Sequence, residues 1–234
     1  MNMLMKRFSK TIQLLLMLVL PFLCHSQNEK RDYQKVKLGL TVSPSVNWVR
    51  TVGADMKNNK LRFGFNYGFV FDYHFSENYA LGTGINMNHQ SFGLRFFPDS
   101  TAPLQHAFNI QSIQIPLTLK LKTKEIGYMT YYGQLGVLAS ARVSGKAKLQ
   151  NDFDGTEKLN ITAVPRTQLF NFSLNAGGGI EFSVAEKTSI LAGLEYHNGF
   201  VNQFRIPQGA TQGVAFTNNK ATLNEFVLRL GVLF

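Results

Sequence analysis

The sequence predicts an all-β fold: an eight-stranded antiparallel up-and-down transmembrane β-barrel with periplasmic termini, short periplasmic turns and long extracellular loops. Three observations predict it. Apolar and polar residues alternate with period two through eight segments, and after residue 35 no window carries a convincing helical period. In RFGFNYGFVFDYHF (62–75) one face holds Phe63, Phe65, Tyr67, Phe69, Phe71, Tyr73 and Phe75, while the other holds Arg62, Gly64, Asn66, Gly68, Val70, Asp72 and His74. A helix would scatter those rings around its cylinder, whereas a strand places them on one face. The connections between segments alternate short and long, as outer-membrane barrels do.

Residues 1–26 read as a secretory signal. Lys6, Arg7 and Lys10 supply a positive start, and the apolar run Ile12–Leu20 is too short to span a bilayer as a helix. Small residues before Gln27 place cleavage after Ser26. A lipoprotein reading with Cys24 acylated is opposed by Pro21 and Leu23. Cleavage removes the only cysteine, which excludes disulfides, thiol nucleophiles and cysteine metal sites from the mature chain. Losing Lys6, Arg7 and Lys10 takes the formal charge from +10 to +7. For an exported basic protein that balance points to an anionic membrane surface and away from nucleic acid.

Residues 27–35 form a short polar periplasmic tail, and the barrel domain takes 36–234. Its first strand, 36–50, puts Leu38, Leu40, Val42, Val46 and Trp48 on one face. The aromatic strand 61–75 follows. Strand 79–97 sets Leu81, Ile85 and Met87 against Gly82, Gly84, Asn86 and Asn88. Strand 110–122 sets Ile113, Ile115, Leu117, Leu119 and Leu121 against Gln114, Pro116, Thr118, Lys120 and Lys122. In 129–149, Tyr131, Leu135, Val137, Ala139 and Val143 oppose Gln134, Gly136, Ser140 and Arg142. In 168–184, Phe170, Phe172, Leu174, Ala176, Ile180 and Phe182 oppose Asn171, Ser173, Asn175, Gly177, Gly179 and Glu181. In 189–203, Ile190, Ala192, Leu194 and Tyr196 oppose Gly193, Glu195 and His197. In 223–234, Phe226, Leu228, Leu230, Val232 and Phe234 oppose Glu225 and Arg229. Short turns are expected at 76–78, 123–128 and 185–188.

In lipid every backbone donor needs an internal partner, so such a sheet must close. The aromatic face then meets lipid, and the small or polar face lines a lumen about wide enough for side chains. No aqueous pore is expected. A soluble lipocalin-type barrel would turn Arg62, Asp72, Lys120, Arg142, Glu181, Glu195 and Arg229 to bulk water and crowd the rings into too small a core.

The segment IQIPLTLKLK (113–122) resembles the I-x-I-P-L-x-L-K stretch of the PorT-like outer-membrane β-barrel family of Bacteroidota, on Ile113, Ile115, Pro116, Leu117, Leu119 and Lys120. The layout agrees over the whole mature chain. The resemblance implies a role beside the type IX protein secretion system, hence secretion-system proteins and the outer-membrane assembly machinery as partners. A structural or adhesive barrel touching lipopolysaccharide or a host surface is the alternative.

No catalytic, cofactor or metal residues are expected. Asp72 and His74 fall near the periplasmic rim and His197, beside Glu195, near the outer rim, so the two pairs do not form one acid–base site. His74, His89, His106 and His197 lie in four segments without metal-ligand spacing. The glycines of GTGIN (82–86) and AGGGIE (176–181) lack the strand–loop–helix context of a phosphate loop. A structural lumen network is expected instead, with a Glu195–Arg229 salt bridge extended by Arg142 and Glu181. Arg50, Lys57, Lys60, Lys146, Lys148 and Arg166 fall in or beside the long loops, at the level of lipopolysaccharide phosphates.

Overall fold

The computed structural model describes residues 34–52, 56–58, 60–96, 104–151, 159–162, 168–185, 187–203 and 220–234. The expected signal peptide, the tail through residue 33 and Arg166 lie outside the described residues. The strands are β1 (Val36–Val52), β2 (Met56–Asn58), β3 (Arg62–Ser76), β4 (Tyr79–Phe96), β5 (Leu104–Lys122), β6 (Met129–Asn151), β7 (Leu159–Thr162), β8 (Phe170–Ala185), β9 (Thr188–Gly199) and β10 (Lys220–Leu233). The eight long ones pair antiparallel in the ring order β1-β3-β4-β5-β6-β8-β9-β10, and β10 returns to β1 from Gly39↔Leu233 to Val52↔Lys220. The chain end completes that seam: Phe234 N donates to Leu38 O at 2.7 Å, and Leu38 N to Phe234 O at 2.8 Å. Closure removes the long sheet edges that an open sheet would expose.

The facing of the strands follows their alternation. Phe63, Phe65, Tyr67, Phe69, Phe71, Tyr73 and Phe75 are all exposed on the outer wall, Phe69 by 68%, while Asn66, Val70, Asp72 and His74 between them are buried. Two aromatic clusters mark the limits of this wall. Phe75 stacks with Tyr79 across the tight turn, and Tyr128 lies beside Phe182 at the same end. Toward the long-loop end Trp48, Tyr196 and Phe226 form a triad with ring centroids 5.1 to 6.0 Å apart. Along β3 the ten-residue climb from Phe75 to Phe65, at about 3.3 Å per residue and a strand tilt of roughly 40°, gives a height of about 25 Å. That is the height of the apolar band a bilayer demands. Between the two clusters the outer wall carries no charged side chain among the described residues.

The structure departs from the sequence expectation beyond this band. Eight strands close the barrel as expected, and among the described residues two short ones are added to them: β2 pairs with β4 and the four-residue β7 pairs with β6, both in the long-loop connections. Strand β5 begins at Leu104, where 110 was expected, and stays in register with β4 through Phe96↔Leu104. The reason is a change in the sense of alternation. At the loop end the outer wall turns polar: Ser91 Oγ donates to Asn109 Oδ1 at 2.8 Å, and Gln111 Nε2 meets His89 Nδ1 at 3.2 Å. The inner wall turns apolar, and Val49, Phe92, Leu94, Phe108, Ile110, Ala221 and Leu223 form a buried cluster in which Phe92 and Phe108 stack at 5.2 Å. Outside lipid, the hydrophobic effect packs the apolar face inward as in any soluble barrel.

Candidate functional site

The lumen is the place where chemistry-bearing side chains converge, and the strands deliver them by parity. Nearest the tight turns, Lys122 Nζ donates to Glu181 Oε2 at 2.6 Å and to His74 Nε2 at 3.1 Å, and Lys37 Nζ reaches the same Glu181 oxygen at 3.2 Å. Since His74 Nε2 accepts from an ammonium, its proton sits on Nδ1. Beside this group Lys120 Nζ donates to Asp72 Oδ2 at 2.6 Å, with both side chains buried. Further along the barrel Arg229 Nη1 donates to Glu195 Oε1 at 2.6 Å. The other Glu195 oxygen, Oε2, is 3.1 Å from His197 Nε2 and 3.2 Å from Asn175 Nδ2. His197 Nδ1 is 2.5 Å from Glu225 Oε1, and Gln90 Nε2 donates to Glu225 Oε2 at 3.1 Å. Both ring nitrogens of His197 face carboxylate oxygens, which only accept, so both must carry a proton for the bridge to hold.

Missing side chains make room for two of these crossings. Asp72 opposes Gly82, and Gly82 opposes Thr118, so Lys120 must reach diagonally over Gly82 to meet Asp72. A Cβ at Gly82 would sit 2.7 Å from Thr118 Oγ1, 3.0 Å from Asp72 Oδ1 and 3.2 Å from Lys120 Cε. In the same way the Tyr132 hydroxyl occupies the place a Cβ on Gly193 would take. The Lys120 ammonium stands 5.5 Å from the centroid of the Tyr132 ring, within cation–π range.

The structure thus brings Glu195 and Arg229 together but separates them from the other two residues expected in their network. Glu181 does not extend the pair, because its position near the end of descending β8 places it with Lys122 and Lys37. Arg142 lies toward the long loops, lining a cleft with Gln90, Ser112, Ser140, Gln168 and Gln203. Glu225, His197, Lys122 and Lys37 were not assigned to the network from the sequence, although their parity was readable. No hydrogen bond or ion pair joins the Asp72–His74 pair to Glu195–His197 among the described residues. Of the family-motif residues, Ile113, Ile115, Leu117 and Leu119 are exposed on the outer wall, Pro116 is buried, and Lys120 is the partner of Asp72.

Each lumen carboxylate is held by a cation or an imidazole, and the buried apolar cluster lies beyond them toward the long loops.

A family model described as outer membrane protein beta-barrel domain matches residues 25–205. The chain belongs to that family. It is a protein of the bacterial outer membrane, and the exposed aromatic wall is its lipid-facing surface. No curated protein matches this outer-membrane barrel at a significant level. Among solved structures it is similar to OprG of Pseudomonas aeruginosa, at 12% identity and a TM-score of 0.47, over 86% of this chain and 96% of that one. It is also similar to Neisserial surface protein A, at 13% identity and a TM-score of 0.43, over 84% and 95%. A third is Ail, the attachment invasion locus protein of Yersinia pestis, in complex with the heparin analogue sucrose octasulfate, at 18% identity and a TM-score of 0.37, over 86% and 100%.

Proposed function

We propose that this barrel is a non-enzymatic, non-conducting accessory of a protein secretion system, of the PorT-like kind associated with type IX export. What supports the first half of this reading is the lumen, where four carboxylates are ion-paired and a buried apolar cluster lies toward the long loops. A barrel that neither conducts nor catalyses acts through its two ends. The second half rests on the IQIPLTLKLK segment and its resemblance to PorT-like barrels. The extension of β4, β5 and β6 beyond the lipid band offers a platform for other secretion proteins, and insertion would pass through the outer-membrane assembly machinery.

A structural or adhesive role is the second reading. It is favoured by the polar outer wall of that same extension, which could face lipopolysaccharide or a host surface. Comparing the secreted proteome of a deletion strain with that of wild type decides between them. Loss of exported proteins, restored by the gene in trans, supports the export role, and an unchanged secretome with reduced surface attachment supports the other. Planar-bilayer recordings test the closed lumen separately, with discrete channel openings refuting it.

A further inference from the structure

Beside the apolar cluster of the long-loop end, with Ile110 common to both, runs a narrow cleft lined by hydroxyls and amides. Its backbone frame is tied on several sides. Arg142 N donates to Leu169 O at 2.8 Å, Gln168 N to Gln203 O at 2.9 Å, and Gln203 N to Ala221 O at 2.8 Å. Ser112 opposes Arg142 across β5 and β6, just after the register shift at Gln111, and Ser140 opposes Asn171 across β6 and β8. Ser112 and Ser140 carry the inward parity of their strands and are buried, so the cleft belongs to the barrel interior.

Four polar atoms of the residues lining this cleft are buried without a hydrogen-bond partner: Ser112 Oγ, Ser140 Oγ, Asn171 Oδ1 and Gln203 Nε2. Ser112, Ser140 and Gln203 are only 4%, 8% and 5% exposed. A buried donor or acceptor left unpaired destabilises the fold, and a ligand that pairs with these four removes that penalty. The four also set the chemistry of the ligand. Asn171 Oδ1 only accepts, Gln203 Nε2 only donates, and each serine hydroxyl does both. A carboxylate has no proton for Asn171 Oδ1. An ammonium has no lone pair for Gln203 Nε2, and the Arg142 guanidinium in the same lining disfavours a cation further. A hydroxyl both donates and accepts. The enclosed part of the cleft holds about one water-sized group, so it takes a hydroxyl of a larger molecule and not the whole of it. Leu169, half exposed in the same lining, adds an apolar surface beside the polar groups. A sugar ring matches both, with hydroxyls at its edge and C–H groups on its face.

We propose that this cleft is a recognition site for a neutral saccharide, holding a ring hydroxyl among Ser112, Ser140, Asn171 and Gln203 while the C–H face of the ring rests on Leu169. The site lies within the interior and not on the lipid-facing wall, and the inference stands whether or not the barrel serves export. A neutral hydrogen bond lost from a binding site weakens affinity about five-fold. Removing both serine hydroxyls therefore weakens it about 25-fold.

The test uses the full mature chain folded into phosphatidylcholine nanodiscs, which hold no glycolipid, and NMR of its amide groups. The probes are the methyl glycosides of glucose, galactose and mannose, with glucuronate and glucosamine as charged counterparts and the peptide Gly-Asn-Gly, blocked at both ends, as a carboxamide. The variants are Ser112→Ala/Ser140→Ala and, separately, Gln203→Met, which lies outside the strands and also assigns the Gln203 side-chain amide signal. Heat-modifiable gel mobility confirms that each is folded. The expected result is a saturable shift of the Gln203 side-chain amide and the Ser140 backbone amide with at least one neutral glycoside. That binding should weaken about 25-fold in the serine pair and about five-fold in Gln203→Met. Without sugar, the serine pair should melt no lower than wild type, since it loses two unpaired hydroxyls. A lower melting transition would mean that the hydroxyls serve the fold through bound water, and it overturns the proposal. So does the absence of a saturable shift with all three glycosides, tighter binding of glucuronate or glucosamine than of any neutral glycoside, or binding of the peptide in their place.

Discussion

Breaking the Glu195–Arg229 pair tests the register of the closing strands, and the structure makes the two single substitutions unequal. Glu195 and Arg229 are only 4% and 6% exposed. Removing one partner of a buried pair costs about 3–5 kcal/mol, because the other is left charged without compensation. Arg229→Leu leaves Glu195 still held by His197 at 3.1 Å and Asn175 at 3.2 Å, so its cost should lie near the lower limit, about 3 kcal/mol. Glu195→Leu strands Arg229, for which no other carboxylate partner stands among the described residues, and also takes one of the two acceptors of His197. Its cost should approach about 5 kcal/mol. The double variant replaces the pair with apolar side chains and should recover part of both losses, giving a coupling of at least about 2 kcal/mol. Urea unfolding from lipid vesicles measures all four corners of the cycle. Trp48, the only tryptophan, reports the transition from its place on the lipid-facing triad. A coupling below about 0.5 kcal/mol, or Arg229→Leu proving the costlier change, would refute the reasoning.

Phe69→Arg puts a charge midway up the lipid-facing wall and should cost about 2–4 kcal/mol; an unchanged melting transition on heat-modifiability gels would show that this face does not meet lipid. Gly82→Ala should destabilise by about 1–3 kcal/mol through crowding of the Asp72–Lys120 crossing. Its effect should shrink in a Lys120→Met background, and strict additivity would mean the glycine serves something else. In a Cys24→Ser background, Lys57→Cys and Asp154→Cys should react with a membrane-impermeant maleimide on intact cells while Glu186→Cys stays unlabelled. Labelling of Glu186→Cys alone would invert the topology.

What was legible in the sequence is the part that a medium enforces. Charge on the lipid-facing wall is costly, so Phe63 through Phe75 declare a face, a strand and a membrane in one stretch. Parity likewise assigned Glu195 and Arg229 to one lumen. Parity says nothing of height, however. Partners along a barrel axis depend on how far each strand is displaced against the next, and a diagonal reach such as Lys120 to Asp72 crosses an intervening strand. Glu181 shows the consequence: its inward parity matches that of Glu195, yet it sits among Lys122, His74 and Lys37 at the other end. At the loop end, strands 79–97 and 129–149 were legible nearly to their limits, and only the first part of β5, 104–109, escaped. There Phe108 follows the rule of a soluble core, with the apolar residue inward, and a reading that assumes lipid outside takes that reversal as the limit of the strand.

The same sorting explains how a chain with a formal charge of +10 can cross a membrane with strands at all. Charge on the lipid-facing wall is prohibitive, and none is found there among the described residues. Charge in a narrow lumen is costly unless matched, and Asp72, Glu181, Glu195 and Glu225 each meet a cationic partner. The wall is thereby kept free of charge by composition, and the carboxylates of the lumen are matched by pairing. Beyond the lipid band the constraint lifts, and there Arg50, Lys146 and Lys220 stand exposed on the outer wall.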